Sequence, residues 1–255
     1  MFDDIEKEFY EARGGLDRGL VLVSRRVSMP EKVIDRDYAD LLMRLMRLVL
    51  EKNEEVNLTA ITEPEEFVSL QILDSLAAVC LPEFSMAASI IDVGSGAGFP
   101  GIPLAALFPE KRFLLIDSLR KRMDFVGAAV QELGLANVEL RHDRAEEAGR
   151  DAFLREGFDL ALCRAVGKLP VVLEYCLPFV RVGGAAVFYK TIPAQGEIEE
   201  SELARKLLGG SADVRVETYA DILPGRRHAL YVVRKEKHTP ASYPRRPGTP
   251  AKVPL

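Results

Sequence analysis

The chain has 255 residues, 48% hydrophobic and 29% charged. That is globular composition, without the run of ~18–20 apolar residues that a membrane span needs. Three cysteines (Cys80, Cys163, Cys176) and three histidines (His142, His228, His238) predict no disulfide framework and no metal site. An acidic opening, MFDDIEKEFY, in place of a basic-then-apolar leader, fits a cytoplasmic protein. The net charge of −5 is uneven: residues 225–255 hold eight Lys or Arg and one acid, leaving residues 1–224 at −12. A basic end on an acidic body fits a polyanion contact or a solvated tail.

In chain order, Tyr38, Leu41, Leu42, Leu45, Met46 and Val49 recur at helical steps, which predicts a helix from Asp35 to about Lys52. Thr62 reads as the N-cap of a second helix running to about Val79, with Pro64 in its first turn. From Ser89 the pattern becomes alternating strand and helix. Strands are predicted at 90–93, 113–117, 137–141, 158–163 and 185–189, with helices through 126–133, 170–180 and 197–208. Two further strands, 214–219 and 229–234, flank a Pro224-Gly225 turn and are expected to pair as a hairpin. Such alternation means a parallel sheet with helices on both faces. The expected architecture is α/β, Rossmann-like, with seven strands and a C-terminal antiparallel hairpin. Its expected divisions are a helical extension (1–88), the α/β domain (89–238) and a basic Pro/Arg-rich tail (239–255). The density of Pro and Gly in the tail argues against helix or strand, leaving an ordered wrap or a flexible arm.

The most informative segment is Asp92-Val93-Gly94-Ser95-Gly96-Ala97-Gly98-Phe99-Pro100-Gly101, between the first strand and a helix. Nucleotide-like ligands bind at this place in an open α/β sheet, where glycines permit close approach. Asp117 ends the next strand, 23 residues after Gly94, where a carboxylate can accept ribose hydroxyls. Gly96, Gly98 and Gly101 match the dinucleotide pattern G-x-G-x-x-G. Asp92 before the loop and Pro100 inside it weigh against a pyrophosphate, because a nearby carboxylate repels two phosphates. The ammonium and carboxylate of S-adenosylmethionine suit an acid and backbone amides together, so the loop favours that cofactor.

Taken together, Asn57-Leu58-Thr59-Ala60-Ile61, Asp74-Ser75-Leu76, the glycine loop with its Ile102-Pro103-Leu104 continuation, Asp117-Ser118, Arg144-Ala145-Glu146, Arg164-Ala165, Lys190 and the closing Arg246-Pro247-Gly248-Thr249-Pro250-Ala251-Lys252 carry a resemblance. They resemble the bacterial 16S (small-subunit) ribosomal RNA (guanine-N7) methyltransferases, also called the glucose-inhibited division protein B family. The resemblance implies S-adenosylmethionine as cofactor and 16S rRNA or the small ribosomal subunit as partner; a monomer is the expected working unit. It places Gly94 and Phe99 in the cofactor pocket, Asp117 on the ribose, Ala145 and Glu146 by the adenine, and Arg164 close to the donor. With them, Asp92, Gly96, Gly98 and Ser118 complete the expected cofactor-binding set. Gln71, Thr191 and Lys52 depart from the family's usual His, Gly and aromatic residue.

Guanine N7 presents a lone pair and no proton, so methylation there requires no general base. Alignment of nucleophile, methyl and sulfur can supply catalysis. Arg164 and Lys190, at the ends of neighbouring strands, are the expected catalytic residues. Arg164 is expected to touch the cofactor, guanine O6 or a phosphate without bonding N7; a strand-end Arg paired with a nearby acid is the alternative. RNA contacts are expected from Arg122, Arg226, Arg245, Arg246 and Lys252, with Tyr243 stacking on a base or packing on the domain. Methylation of another RNA or a small molecule, and RNA binding without turnover, are the competing readings.

Overall fold

The computed structural model describes residues 2–27, 36–192, 195–220, 222–223 and 227–255. Seven strands form one sheet: β1 (Ser89–Val93), β2 (Arg112–Asp117), β3 (Val138–His142), β4 (Phe158–Arg164), β5 (Val180–Thr191), β6 (Arg215–Thr218) and β7 (His228–Arg234). Their spatial order is β3-β2-β1-β4-β5-β7-β6. The first five strands run parallel, and β7 lies antiparallel between β5 and β6. The strand order reverses beside β1, which opens a crevice at the carboxyl ends of β1 and β4.

Both faces of the sheet are covered, so alternate residues of each strand enter different cores. Ile90, Leu115, Leu162 and Val187 pack on one side; Ile91, Ile116, Cys163 and Phe188 pack on the other. The first face carries the amino-terminal helices α1 (Phe2–Val27) and α2 (Arg36–Asn53), a helical run over 64–80 (α3) and the short α4 (Pro82–Met86). It also carries α5 (Gly101–Leu107) and α6 (Arg120–Glu132). The second face carries α7 (Ala145–Ala148), α8 (Leu169–Cys176), α9 (Gln195–Glu200) and α10 (Glu202–Leu208). The amino-terminal helices share one continuous core with the sheet: Leu16, Leu42 and Phe67 belong to the same cluster as Leu160.

Several expectations shift. The second predicted helix starts one residue later, with Glu63 at the N-cap and Pro64 at the first helical position; no side-chain cap forms at Thr62. Its interior widens into a π turn over Val68–Leu73, which places Gln71, Asp74 and Ser75 toward the sheet end. The helix predicted over 197–208 is two helices broken at Ser201, whose hydroxyl donates to the carbonyl of Ile198 at 2.7 Å. Strand β5 begins five residues early, because an irregularity beside Gly183-Gly184 breaks the alternation that identifies its second half. The hairpin pairing of β6 and β7 is as expected, while Pro224 and Gly225 lie outside the described residues. The tail is an ordered wrap, and despite its prolines it contains one helical turn, α11 (Thr249–Lys252), with Pro250 in its first positions.

Candidate functional site

A cavity of about 480 Å³ opens at the carboxyl ends of β1, β2 and β4, within the ~300–1,000 Å³ range of small-molecule sites. Its floor is the glycine loop. The backbone amides of Gly94 and Ser95 donate to the carbonyl of Ile116 at 2.8 and 3.1 Å, tying the loop to β2. Gly94 takes a φ of +75°, and a Cβ there would stand 2.6 Å from Val166 Cγ2. Gly101 serves another purpose: a Cβ would stand 2.8 Å from Leu115, so glycine lets α5 pack tightly on the sheet.

Asp117 is buried at the end of β2. Its two carboxylate oxygens accept the amides of Gly96 (3.0 Å) and Leu119 (2.8 Å), which fixes the side chain on the cavity wall. Arg122 Nη1 lies 3.9 Å from it. Of the expected cofactor-binding residues, Gly94, Gly96, Phe99, Asp117, Ser118, Ala145, Glu146 and Arg164 line the cavity, and Arg122, expected to contact RNA, lines it too. Leu58, Gln71 and Tyr175 join them from distant elements.

Two expected cofactor contacts are not on the wall. Gly98 forms the inner turn of the loop, with φ +93° and its carbonyl accepting the amide of Ile102 at 2.7 Å. Asp92 points into the interior. Its Oδ2 accepts the Gly101 amide at 2.8 Å, while its Oδ1 is buried with no hydrogen-bond partner among the described residues. Burial pushes the Asp92 carboxyl up to about 7, against the pull of the Gly101 amide and the Arg164 charge.

Arg164 borders the cavity but faces the amino-terminal helices. Its Nη1 donates to the carbonyls of Leu70 (3.0 Å) and Gln71 (3.3 Å) and to Asp74 Oδ2 (3.1 Å), and its Nη2 donates to Gln71 Oε1. The guanidinium lies 5.6 Å from the Phe99 ring centroid. The strand-end arginine is therefore paired with a buried acid, the alternative to direct chemistry. Asp74 Oδ1 also accepts Tyr219 (2.7 Å) and meets His228 Nδ1 (2.9 Å). Burial raises the Asp74 carboxyl, but the His228 hydrogen bond, the Arg164 charge and Tyr219 together hold it below its ordinary value. Gln71 Nε2 donates to Thr59 Oγ1 at 3.0 Å, so the Asn57–Ile61 segment belongs to the same network. Asn53 folds that segment by accepting the amides of Leu58 and Thr59 at 2.8 and 2.9 Å.

Lys190 lines a second, smaller cavity at the ends of β4 and β5, which shares Ala165 and Val166 with the first. Its ammonium donates to the Gly167 carbonyl (2.7 Å) and to Glu197 Oε2 (2.6 Å).

The tail is tied to one residue of the first cavity's wall. The Gly248 amide donates to Glu146 Oε1 at 2.8 Å, so a cavity acid also anchors the tail. Arg155 donates to the carbonyls of Thr239, Pro240 and Tyr243. Arg245 turns inward, against the expectation that it faces RNA. Its Nε and Nη2 meet the fully buried Glu174 at 3.0 and 2.6 Å, and its own amide donates there at 2.7 Å. A buried carboxylate requires such a partner. Arg246 and Lys252 are exposed, with no ion pair among the described residues, whereas Tyr243 packs on the second core. Arg226 lies outside the described residues; its neighbour Arg227 is exposed.

Tyr175, Glu174 and Glu197 escaped sequence reasoning because they sit inside ordinary helical patterns. Only the packing of α8 and α9 brings Tyr175 and Glu197 to the cavities and Glu174 to Arg245. Among the described residues, no group of His, Cys, Asp and Glu could hold a metal ion, and no helix is long and apolar enough to cross a membrane.

Two O-methyltransferases have the same fold. One from Bacillus cereus gives a TM-score of 0.52 at 19% identity, over 75% of this chain and 91% of that chain. One from Klebsiella pneumoniae gives 0.51 at 17% identity, over 76% and 90%. Sequence likeness is much closer to two proteins named ribosomal RNA small subunit methyltransferase G. The protein from Alkaliphilus metalliredigens is 44% identical over 87% of this chain and 92% of its own length. The one from Bacillus cytotoxicus is 42% identical over 81% and 86%. The family model described as GidB, rRNA small subunit methyltransferase G, matches residues 39–221. With that match over most of its length, and with the seven-stranded methyltransferase fold around the glycine loop, the chain belongs to the rRNA small subunit methyltransferase G family.

Proposed function

We propose that the chain methylates guanine N7 in small-subunit (16S) ribosomal RNA, with S-adenosylmethionine as donor. The observation that carries this reading is the junction of two cavities. A glycine-floored pocket with the buried Asp117 on its wall shares Ala165 and Val166, at the end of β4, with a second pocket of about 250 Å³.

The residues present fit the cofactor. Gly94, Gly96 and Phe99 would hold the amino-acid end, Asp117 the ribose hydroxyls, and Ser118, Ala145 and Glu146 the adenine. When bound, the cofactor supplies an electrophilic sulfonium methyl. Asp92 would act behind the loop, holding the Gly101 amide and hence the start of α5, without touching the ligand. Arg164 is a positioning residue: it clamps 70–75 to the end of β4 and leaves its charge neutralised by Asp74. That neutralisation suits a nucleophile that becomes cationic on methylation, since an uncompensated cation at N7 would oppose the reaction. No general base is needed, and catalysis rests on alignment.

A guanine within folded rRNA must leave its stack to enter the second cavity. Arg122 on the rim and the exposed Arg227, Arg246 and Lys252 provide phosphate contacts, with Arg246 held near the rim by the Gly248–Glu146 bond.

The test is methyl transfer from labelled S-adenosylmethionine to unmodified small subunits and to protein-free rRNA, with the product mapped by N7-methylguanine-specific cleavage. Label at one guanine N7 is the expected result. Cofactor binding without label on either RNA overturns the reading.

A further inference from the structure

The second cavity, about 250 Å³, has a floor of Cys163 and Phe188, and two charged side chains at its rim. Lys190, from the end of β5, and Glu197, from α9, form an ion pair of 2.6 Å. Glu197 Oε2 also accepts the amide of Leu169 at 3.0 Å. Two donors, one from each neighbouring element, fix this carboxylate through a single oxygen. The other oxygen, Oε1, makes no hydrogen bond among the described residues, although Glu197 borders the cavity.

A base positioned for attack through N7 must turn its N7 edge toward the first cavity. Its N1–H and N2–H groups then face the opposite way, and a site that selects guanine must offer acceptors there. A fixed carboxylate is such an acceptor: it bonds guanine and repels adenine, whose N1 carries a lone pair. Pairing with Lys190 leaves the rim without net charge, so the cationic product meets no unbalanced cation.

We infer that Glu197 is a specificity-determining residue that selects guanine by accepting hydrogen bonds from its N1–H and N2–H edge, with Lys190 holding the carboxylate in place. The inference rests on the guanine-N7 reading above and adds to it the group that distinguishes guanine from other purines.

The experiment compares a short small-subunit rRNA fragment, assembled into subunits, carrying either guanine or inosine at the methylated position. Inosine keeps N7, O6 and N1–H but lacks the N2 amine. Losing one hydrogen bond to a charged acceptor lowers the rate by about ten- to a hundredfold, so the wild-type protein should prefer guanine by that factor. Glu197→Gln should lower kcat/KM on guanine and bring the guanine-to-inosine ratio close to one. Its S-adenosylmethionine affinity, measured by calorimetry, should stay within twofold. An unchanged ratio in E197Q overturns the inference while the guanine-N7 reading stands. If E197Q fails to fold, the wild-type ratio decides alone, and a ratio near one overturns the inference. Wild-type protein that binds S-adenosylmethionine but methylates neither RNA overturns the underlying reading first, and the inference with it.

Discussion

The two cavities adjoin, yet they are built from different materials. The first is shaped by backbone: left-handed glycines, amides directed at Asp117, and a loop tied to β2. The second is shaped by charged side chains from β5 and α9 that meet only in the folded protein. Backbone cavities depend on residues within one short stretch of chain, so a substitution there changes binding directly. Side-chain cavities depend on pairs, so their substitutions alter selectivity first.

The sharpest way to separate the two is through Asp92, the buried acid beneath the backbone cavity. Its folded pKa, about 7, lies above the unfolded value near 3.8. Its contribution to stability is therefore full below pH 4 and is lost as the pH rises through 7. Asp92→Asn removes that dependence. Between pH 4 and pH 8 it should gain up to about 4 kcal/mol relative to wild type, read by urea unfolding at both values. A difference that does not change with pH would mean the carboxyl is solvated, and the dry floor of the first cavity would have to be abandoned.

Gly94→Ala comes next in size. The left-handed backbone costs an L residue about 1–2 kcal/mol, and the new Cβ would meet Val166. S-adenosylmethionine affinity should fall by about a hundredfold or more in calorimetry, because the loop must shift. A loss under threefold would show that side chains, not backbone, hold the cofactor. Asp117→Asn should cost about ten- to a hundredfold in the same measurement, the value of a charge-assisted hydrogen bond.

The smallest effect is expected in the tail. Arg246→Ala should weaken binding to rRNA only a few-fold and reduce the slope of log affinity against log salt by about one, with no change in melting temperature. Arg245, one residue away, makes the opposite contrast: its guanidinium is enclosed with Glu174, so Arg245→Ala should lower the melting temperature. Adjacent residues of the same type thus serve different purposes, and no local pattern tells them apart.

The strand–helix alternation, the glycine loop, the acid at the end of β2 and the closing hairpin are legible in the sequence alone. Each is written in residues within about two dozen positions of one another, where periodicity and glycine chemistry act. The sequence also determined the family, through motifs spread from Asn57 to the last residues. Tertiary structure decided which charges are satisfied and by what. Arg164 meets Asp74 across 90 positions, Arg245 meets Glu174 across 71, and Glu146 meets the Gly248 amide across 102. Asp92, expected to face the ligand, turned inward because its strand is buried on both faces. Lys190 and Glu197 are seven residues apart, yet their meeting depends on how α9 returns across the end of β5. Local sequence sets backbone conformation through sterics, whereas the partner of a buried charge is set by whichever elements packing brings into reach.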